Sequence, residues 1–166
     1  MYYRNRKKQF DYRELLATEP KAIAQVYGNS GFPEINGAVR FYQTEYGVLV
    51  VAEILGLPVV KERCGKDIFA FHIHGGDSCS GNLSDEFADA GTHYNPDGCL
   101  HPYHVGDMPP LLATDRLAFL AFITDRFTVD EIVGKTVIIH ESPDDFMTQP
   151  SGNAGMKIAC GEINYY

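Results

Sequence analysis

Apolar positions in this chain fall in short runs broken by turn-forming residues, and in one of them apolar and polar residues alternate. From Ala22, "AIAQVYG" reads as a strand that ends in the turn chemistry of "GNSGFPEING". "GAVRFYQTEYG" then places Val39, Phe41 and Thr44 on one face and Arg40 and Gln43 on the other. "GVLVVAEILGLP" is a long β-branched run, and its junction with the preceding strand at "TEYG" predicts a hairpin. "IFAFHIH" predicts a further strand. "LLAT", a "DR" turn and "LAFLAFITD" predict a second hairpin, and "EIVGKTVIIHE" and "MKIACGEI" predict the closing strands. The expectation is roughly eight strands with little helix, an all-β barrel or sandwich of Greek-key type.

Residues 1–20 do not share this pattern. "RNRKK" is a charge cluster. "DYRELLATEP" predicts a short helix with Asp11 as N-cap, Glu14 closing a capping box and Pro20 as the stop. This N-terminal arm is expected to lie solvated on the surface, with a basic contact to a partner or an anionic surface as the alternative. Residues 21–166 are expected to form one domain. Two irregular stretches interrupt the strands, at about Gly75 to Pro110 and about Glu141 to Gly155. Loops of that length are either disordered or functional.

Composition narrows the function classes. The chain is 45% hydrophobic, enough for a single core, and its 16 Gly and 9 Pro suit many turns. A formal net charge of −8 argues against nucleic acid as a partner, because phosphate binding needs a basic surface. It also disfavours long-range attraction of an anionic substrate unless local charges oppose the global field. The longest apolar stretch, "YGVLVVAEILGLPVV", is too short to span a membrane and carries Glu53. No apolar segment follows the basic N-terminus, so no secretory signal is read and the cytoplasm is the expected location. Cys64, Cys79, Cys99 and Cys160 form no CxxC pair, which disfavours a redox dithiol or zinc ribbon. Their even number permits two disulfides, which leaves an extracytoplasmic location open.

The histidines carry the chemistry. Five of the 6 fall between Ala70 and Pro110, and the sixth is His140. His72 and His74 in "FHIH" share one strand face, with Phe71 and Ile73 on the other. His140 ends "TVIIH" and becomes a third ligand if its strand neighbours the first. "HPYHVGD" spaces His101, His104 and Asp107 three residues apart. Pro102 and Gly106 disfavour a helix there, so a loop folding around an ion is expected. Two imidazoles and a carboxylate suit zinc, and His93 in "AGTHYNP" is near enough to be a fourth ligand. One histidine alone is usually an ordinary core or surface residue. Here every histidine falls within reach of one site, and that concentration points to metal binding.

"FHIH", "AGTHYNP", "HVGD", "VIIHESPDD" and "GNAGMKIACGEI" follow one another in the order found in copper/zinc superoxide dismutases. The chain resembles that family from roughly Ala22 to Ile163. The resemblance implies an eight-stranded Greek-key β-barrel and dismutation of superoxide to dioxygen and hydrogen peroxide by copper redox cycling. It implies copper ligands at His72, His74, His93 and His140, and zinc ligands at His93, His101, His104 and Asp107. His93 would be the bridging imidazolate and would take a proton during turnover. Asp144 resembles the carboxylate that links a copper histidine to a zinc histidine. Cys79 and Cys160 match the family's intrasubunit disulfide.

Four departures from the family pattern stand out. Lys157 occupies the place of the usual active-site arginine; it keeps the charge and loses the planar fork of donors. A solvent-facing Lys157 of little consequence is the alternative. His101 and His104 lie closer in sequence than in the typical zinc loop. The stretch after His140 is short and poor in lysine. Cys64 and Cys99 are additional; a second disulfide between them would staple the zinc loop, and free thiols or a metal-ligating Cys99 are the alternatives. A non-catalytic metal-binding relative is the alternative function, but it would be expected to lose copper ligands, and none is lost. A copper-delivery protein would want a CxxC module that the chain lacks. Nothing in the pattern names an interface, so a homodimer stays open.

Overall fold

Every second residue of β1 (Ala22–Gly28) is buried, with Ala22, Ala24 and Val26 in the core. The computed structural model describes residues 12–59 and 67–166. β2 (Asn36–Thr44) and β3 (Gly47–Leu55) form the expected hairpin, turning at Glu45 and Tyr46. Val39 and Phe41 face the core. Gln43 continues their row and Thr44 joins Arg40 and Tyr42 on the other face, the reverse of the expectation, because β2 keeps a regular register to its end. Its Oε1 accepts a hydrogen bond from the Val129 N–H at 2.9 Å. On the opposite face Tyr42, Leu49 and Val51 pack with Leu15 of α1 (Tyr12–Leu16), the short helix expected in the arm. The proposed N-cap Asp11 lies outside the described residues.

One predicted strand divides in two. "IFAFHIH" becomes β4 (Ile68–Phe69) and β5 (Phe71–His74), interrupted at Ala70. β4 pairs with β6 (Leu111–Thr114), whereas β5 pairs with β8 (Thr136–His140). With β7 (Leu117–Thr124) and β9 (Lys157–Tyr165), the sheet order is β4-β6-β7-β3-β2-β1-β9-β8-β5. Its two ends are consecutive pieces of one segment, so the sheet closes on itself at Ala70. Nine strands by hydrogen bonding are thus the eight expected, with one exchanging partners. The β3–β4 and β7–β8 connections join strands that are not neighbours, as a Greek key requires.

The β6–β7 turn is Asp115-Arg116, both with positive φ (50° and 72°). This is the turn hand that matches strand twist, although it strains residues with a Cβ. Arg116 is held there by its carbonyl, which accepts from Leu57 N–H at 3.2 Å, and by its guanidinium on the Gly56 carbonyl at 3.1 Å.

"EIVGKTVIIHE" is not strand throughout. Its first part lies in and just after a helical turn, α2 (Val129–Ile132), and only Thr136–His140 is extended. Thr128 and Glu131 make the difference: the Glu131 carboxylate accepts from the Thr128 N–H at 2.6 Å and caps the turn. Gly134 at φ 78° then redirects the chain.

The barrel interior holds Phe41, Phe69, Phe71, Ile54, Ile139 and Ile158, all essentially without exposure. Outside the sheet, Phe87 and Ala90 pack on Ile138 and Cys160 beneath a disulfide between Cys79 and Cys160, 81 residues apart in sequence. This is the bond that the resemblance implied. Among the described residues no helix is long and apolar enough to cross a membrane.

Candidate metal centre

β5 supplies the first two imidazoles. Phe71 and Ile73 point into the barrel, which turns His72 and His74 outward together. β8 lies alongside, with His72 opposite Ile138, and the His140 N–H donates to Ala70 O at 2.9 Å. The adjacency on which His140 depended is therefore present.

β5 is the last strand in the order, and the first long loop covers its free edge. Tyr94 N–H donates to Ile73 O, Ile73 N–H to Gly106 O, and Gly106 N–H to Tyr94 O, all within 2.9 Å. These bonds set His93 and Asp107 beside His74 and His72. A side chain at position 106 would have its Cβ 2.2 Å from Ile73 O, so only glycine lets the loop approach this closely. His101 and His104 follow from the same loop. Two groups result, His72, His74, His93 and His140, and His93, His101, His104 and Asp107. Within each group the ligand atoms lie within 4.8 Å of one another, all residues are buried, and His93 belongs to both.

Hydrogen bonds set the tautomers. His74 Nδ1 donates to Gly91 O at 2.9 Å and His140 Nδ1 to Gly155 O at 3.1 Å. Both Nε2 atoms are then lone pairs, and they face each other at 3.3 Å. His72 Nε2 donates to Asp144 Oδ2 at 2.8 Å and His101 Nε2 to Asp144 Oδ1 at 2.9 Å. One carboxylate thus joins a ring from each group. The opposite nitrogens, His72 Nδ1 and His101 Nδ1, are buried without a hydrogen-bond partner, as is His93 Nε2. His101 Nδ1 does lie 3.1 Å from Asp107 Oδ2, but without hydrogen-bond alignment. Asp107 Oδ1 is 2.8 Å from His93 Nδ1. Buried, unpartnered lone pairs converging on two points are costly unless a cation satisfies them, so the residues present fit two metal ions.

The electrostatics agree. Burial holds His140 down to about 3, with the neighbouring His72 ring adding to the effect. Burial also lowers His72, His74 and His104. These rings are neutral and able to ligate at neutral pH. Burial opposes the Asp144 charge, but the His72 and His101 ring donors and the Phe146 N–H outweigh it, leaving this carboxyl at about 2. Asp107 is likewise held low by His93 against the cost of burial.

Lys157 does not face bulk solvent. Its side chain is 14% exposed and lines a cavity of about 990 Å³ above His74, His93 and His140. Cys99 lines the same cavity as an exposed free thiol; Cys64, its suggested partner, lies outside the described residues.

Three supporting residues escaped the sequence reading. Arg126 Nη1 lies within 3.3 Å of the carbonyls of Pro102, His104 and Asp107. Gln149 clamps the His101 backbone, accepting from its N–H at 3.0 Å and donating to its carbonyl at 2.7 Å. Asp85 pairs with Lys157 at 2.8 Å. None stands in a distinctive local pattern, and each meets its partner only through folding.

The family model for copper/zinc superoxide dismutase (SODC) matches residues 35–163. Superoxide dismutase [Cu-Zn] 2 of Aquifex aeolicus is 34% identical over 158 residues, covering 86% of each chain. Superoxide dismutase [Cu-Zn] 1 of the same organism is 32% identical over 163 residues, covering 89% of this chain and 90% of that one. The structure of a Cu/Zn superoxide dismutase from Brucella abortus superposes with a TM-score of 0.70 at 23% identity, covering 85% of this chain and 98% of the other; that likeness bears on the fold alone. With the match spanning most of the barrel and both histidine groups, the chain belongs to the copper/zinc superoxide dismutase family.

Proposed function

We propose that this protein dismutes superoxide to dioxygen and hydrogen peroxide, with copper held by His72, His74, His93 and His140 and zinc by His93, His101, His104 and Asp107. The observation that carries the assignment is the pair of buried four-residue groups sharing His93. Imidazole suits both metals, and a carboxylate in the second group suits zinc. Copper bound there supplies the one-electron reduction and oxidation that dismutation needs.

The chain's own residues do the rest. His93 Nδ1 faces Asp107 and His104, which leaves Nε2 as the atom able to hold a proton for the departing peroxide. Asp144 keeps His72 and His101 in the tautomers that direct Nδ1 inward. Lys157 supplies a positive charge in the cavity through which a small anion reaches His140. All four residues of the copper group are present, which favours catalysis over a binding-only relative. The Cys79–Cys160 disulfide supports an oxidising, extracytoplasmic location rather than the cytoplasm.

The decisive test is superoxide decay with the copper- and zinc-loaded protein, against metal-free protein and free copper. Acceleration that copper chelation abolishes is expected. Both metals bound at the two histidine groups without acceleration would overturn the catalytic reading.

A further inference from the structure

Among the described residues lining the cavity above the histidines, Lys157 is the one lysine or arginine, whereas Asp85 and Glu86 are both acidic. The lysine is tethered. Its Nζ donates to Asp85 Oδ2 at 2.8 Å and to Phe87 O at 3.0 Å. An ammonium has three N–H donors, so one remains for an incoming anion. Across the β8–β9 pair Lys157 stands opposite His140, and both residues line the cavity with His74 and His93.

Asp85 is held independently of Lys157. Its Oδ1 accepts from the Phe87 N–H at 3.0 Å, and its carbonyl accepts from the Asn82 and Ala88 N–H groups. Next to it, Glu86 accepts from the Ser30 N–H at 3.0 Å, docking the loop on the β1–β2 connection. The disulfide at Cys79 ties the same loop to β9, the strand that carries Lys157. The acid therefore approaches the lysine from an anchored frame.

Two consequences follow. A lysine on its flexible stem would otherwise sample many directions, and two fixed acceptors select one. The carboxylate also opposes the ammonium charge, so an anion in the cavity meets a dipole whose pull falls off faster than that of a bare cation. Building on the functional reading above, we infer that Asp85 is a positioning residue for the dismutase site: it aims Lys157 and sets how strongly the cavity attracts a small anion.

Azide, a small monoanion, is the probe, titrated into copper- and zinc-loaded protein and followed through the copper absorption. Asp85→Asn keeps an acceptor for Nζ and removes the charge. Its azide dissociation constant is expected to fall roughly five-fold, with a steeper dependence on salt. Asp85→Glu should return towards the starting value. In a Lys157→Met background Asp85→Asn should still tighten azide binding, because the carboxylate repels the anion directly, and an unchanged constant there would overturn the electrostatic half of the inference. An azide constant and salt slope unchanged in Asp85→Asn, with metal content unchanged, would overturn the inference. A second measurement needs no metal. In metal-free protein the Lys157 ammonium protons should exchange slowly by ¹⁵N NMR and much faster in Asp85→Ala; equal rates would likewise overturn it. If the wild-type protein failed to take copper at the histidines, the functional reading would fall, and the ammonium exchange would still decide the role of Asp85.

Discussion

His74 and His140 meet Nε2 to Nε2 at 3.3 Å, and each is pinned there by a backbone carbonyl on its Nδ1. Two lone pairs at that distance repel, and a cation between them turns repulsion into ligation. Neighbouring strands bring the rings together, while Gly91 and Gly155 from two different loops fix their orientation.

This arrangement predicts how metal-free protein responds to acid. Imidazoles in the unfolded chain take up protons near 6.5, whereas folding holds His140 neutral down to about 3 and also lowers His72 and His74. The unfolded state then binds more protons, so stability falls as pH drops from 6.5 towards 3. Thermal melting of metal-free protein should decline steadily through that window. Loaded protein should hold its melting temperature further down, until protons displace the metals.

Asp144→Asn tests the bridge between the groups. An amide oxygen can serve one of the two imidazole donors, and the amide N–H₂ opposes the other. Zinc affinity measured by chelator competition should drop by about 10- to 100-fold, the usual cost of losing such a partner.

Gly106→Ala probes the contact between the zinc loop and β5. A Cβ at 2.2 Å from Ile73 O forces the loop away. A loss of about 1–3 kcal/mol in urea unfolding is expected, together with weaker zinc binding.

Arg126→Met removes the guanidinium from the carbonyls of Pro102, His104 and Asp107. Zinc should leave faster in stopped-flow chelation, with the copper spectrum little changed, because that clamp touches the zinc segment alone.

Breaking the Cys79–Cys160 bond frees a closed loop spanning 81 residues in sequence. Loop-closure entropy puts the loss at about 4 kcal/mol. Paired Cys→Ala replacement should lower the urea midpoint accordingly. It should also loosen Asp85, so azide binding ought to change with it.

Much of this molecule was legible in the chain. Short apolar runs bounded by turn residues identified the β1 strand, both hairpins and the closing strand, because a packed strand needs apolar residues along it and the chain must turn between strands. Six histidines within reach of one site identified metal chemistry, and the five ordered motifs identified the family. Where local signals competed, the reading failed. In "EIVGKTVIIHE" a Thr128–Glu131 cap overrode an apolar run, and Gln43 followed the strand's register rather than its polarity. Tertiary structure alone decided the partner exchange at Ala70, the facing nitrogens of His74 and His140, and the meetings of Arg126 with the zinc loop and Asp85 with Lys157. The physical reason is distance along the chain. Periodicity records which face of a strand is buried, whereas a side chain's partner from a remote loop is fixed only when the barrel closes and the loops pack over its edge.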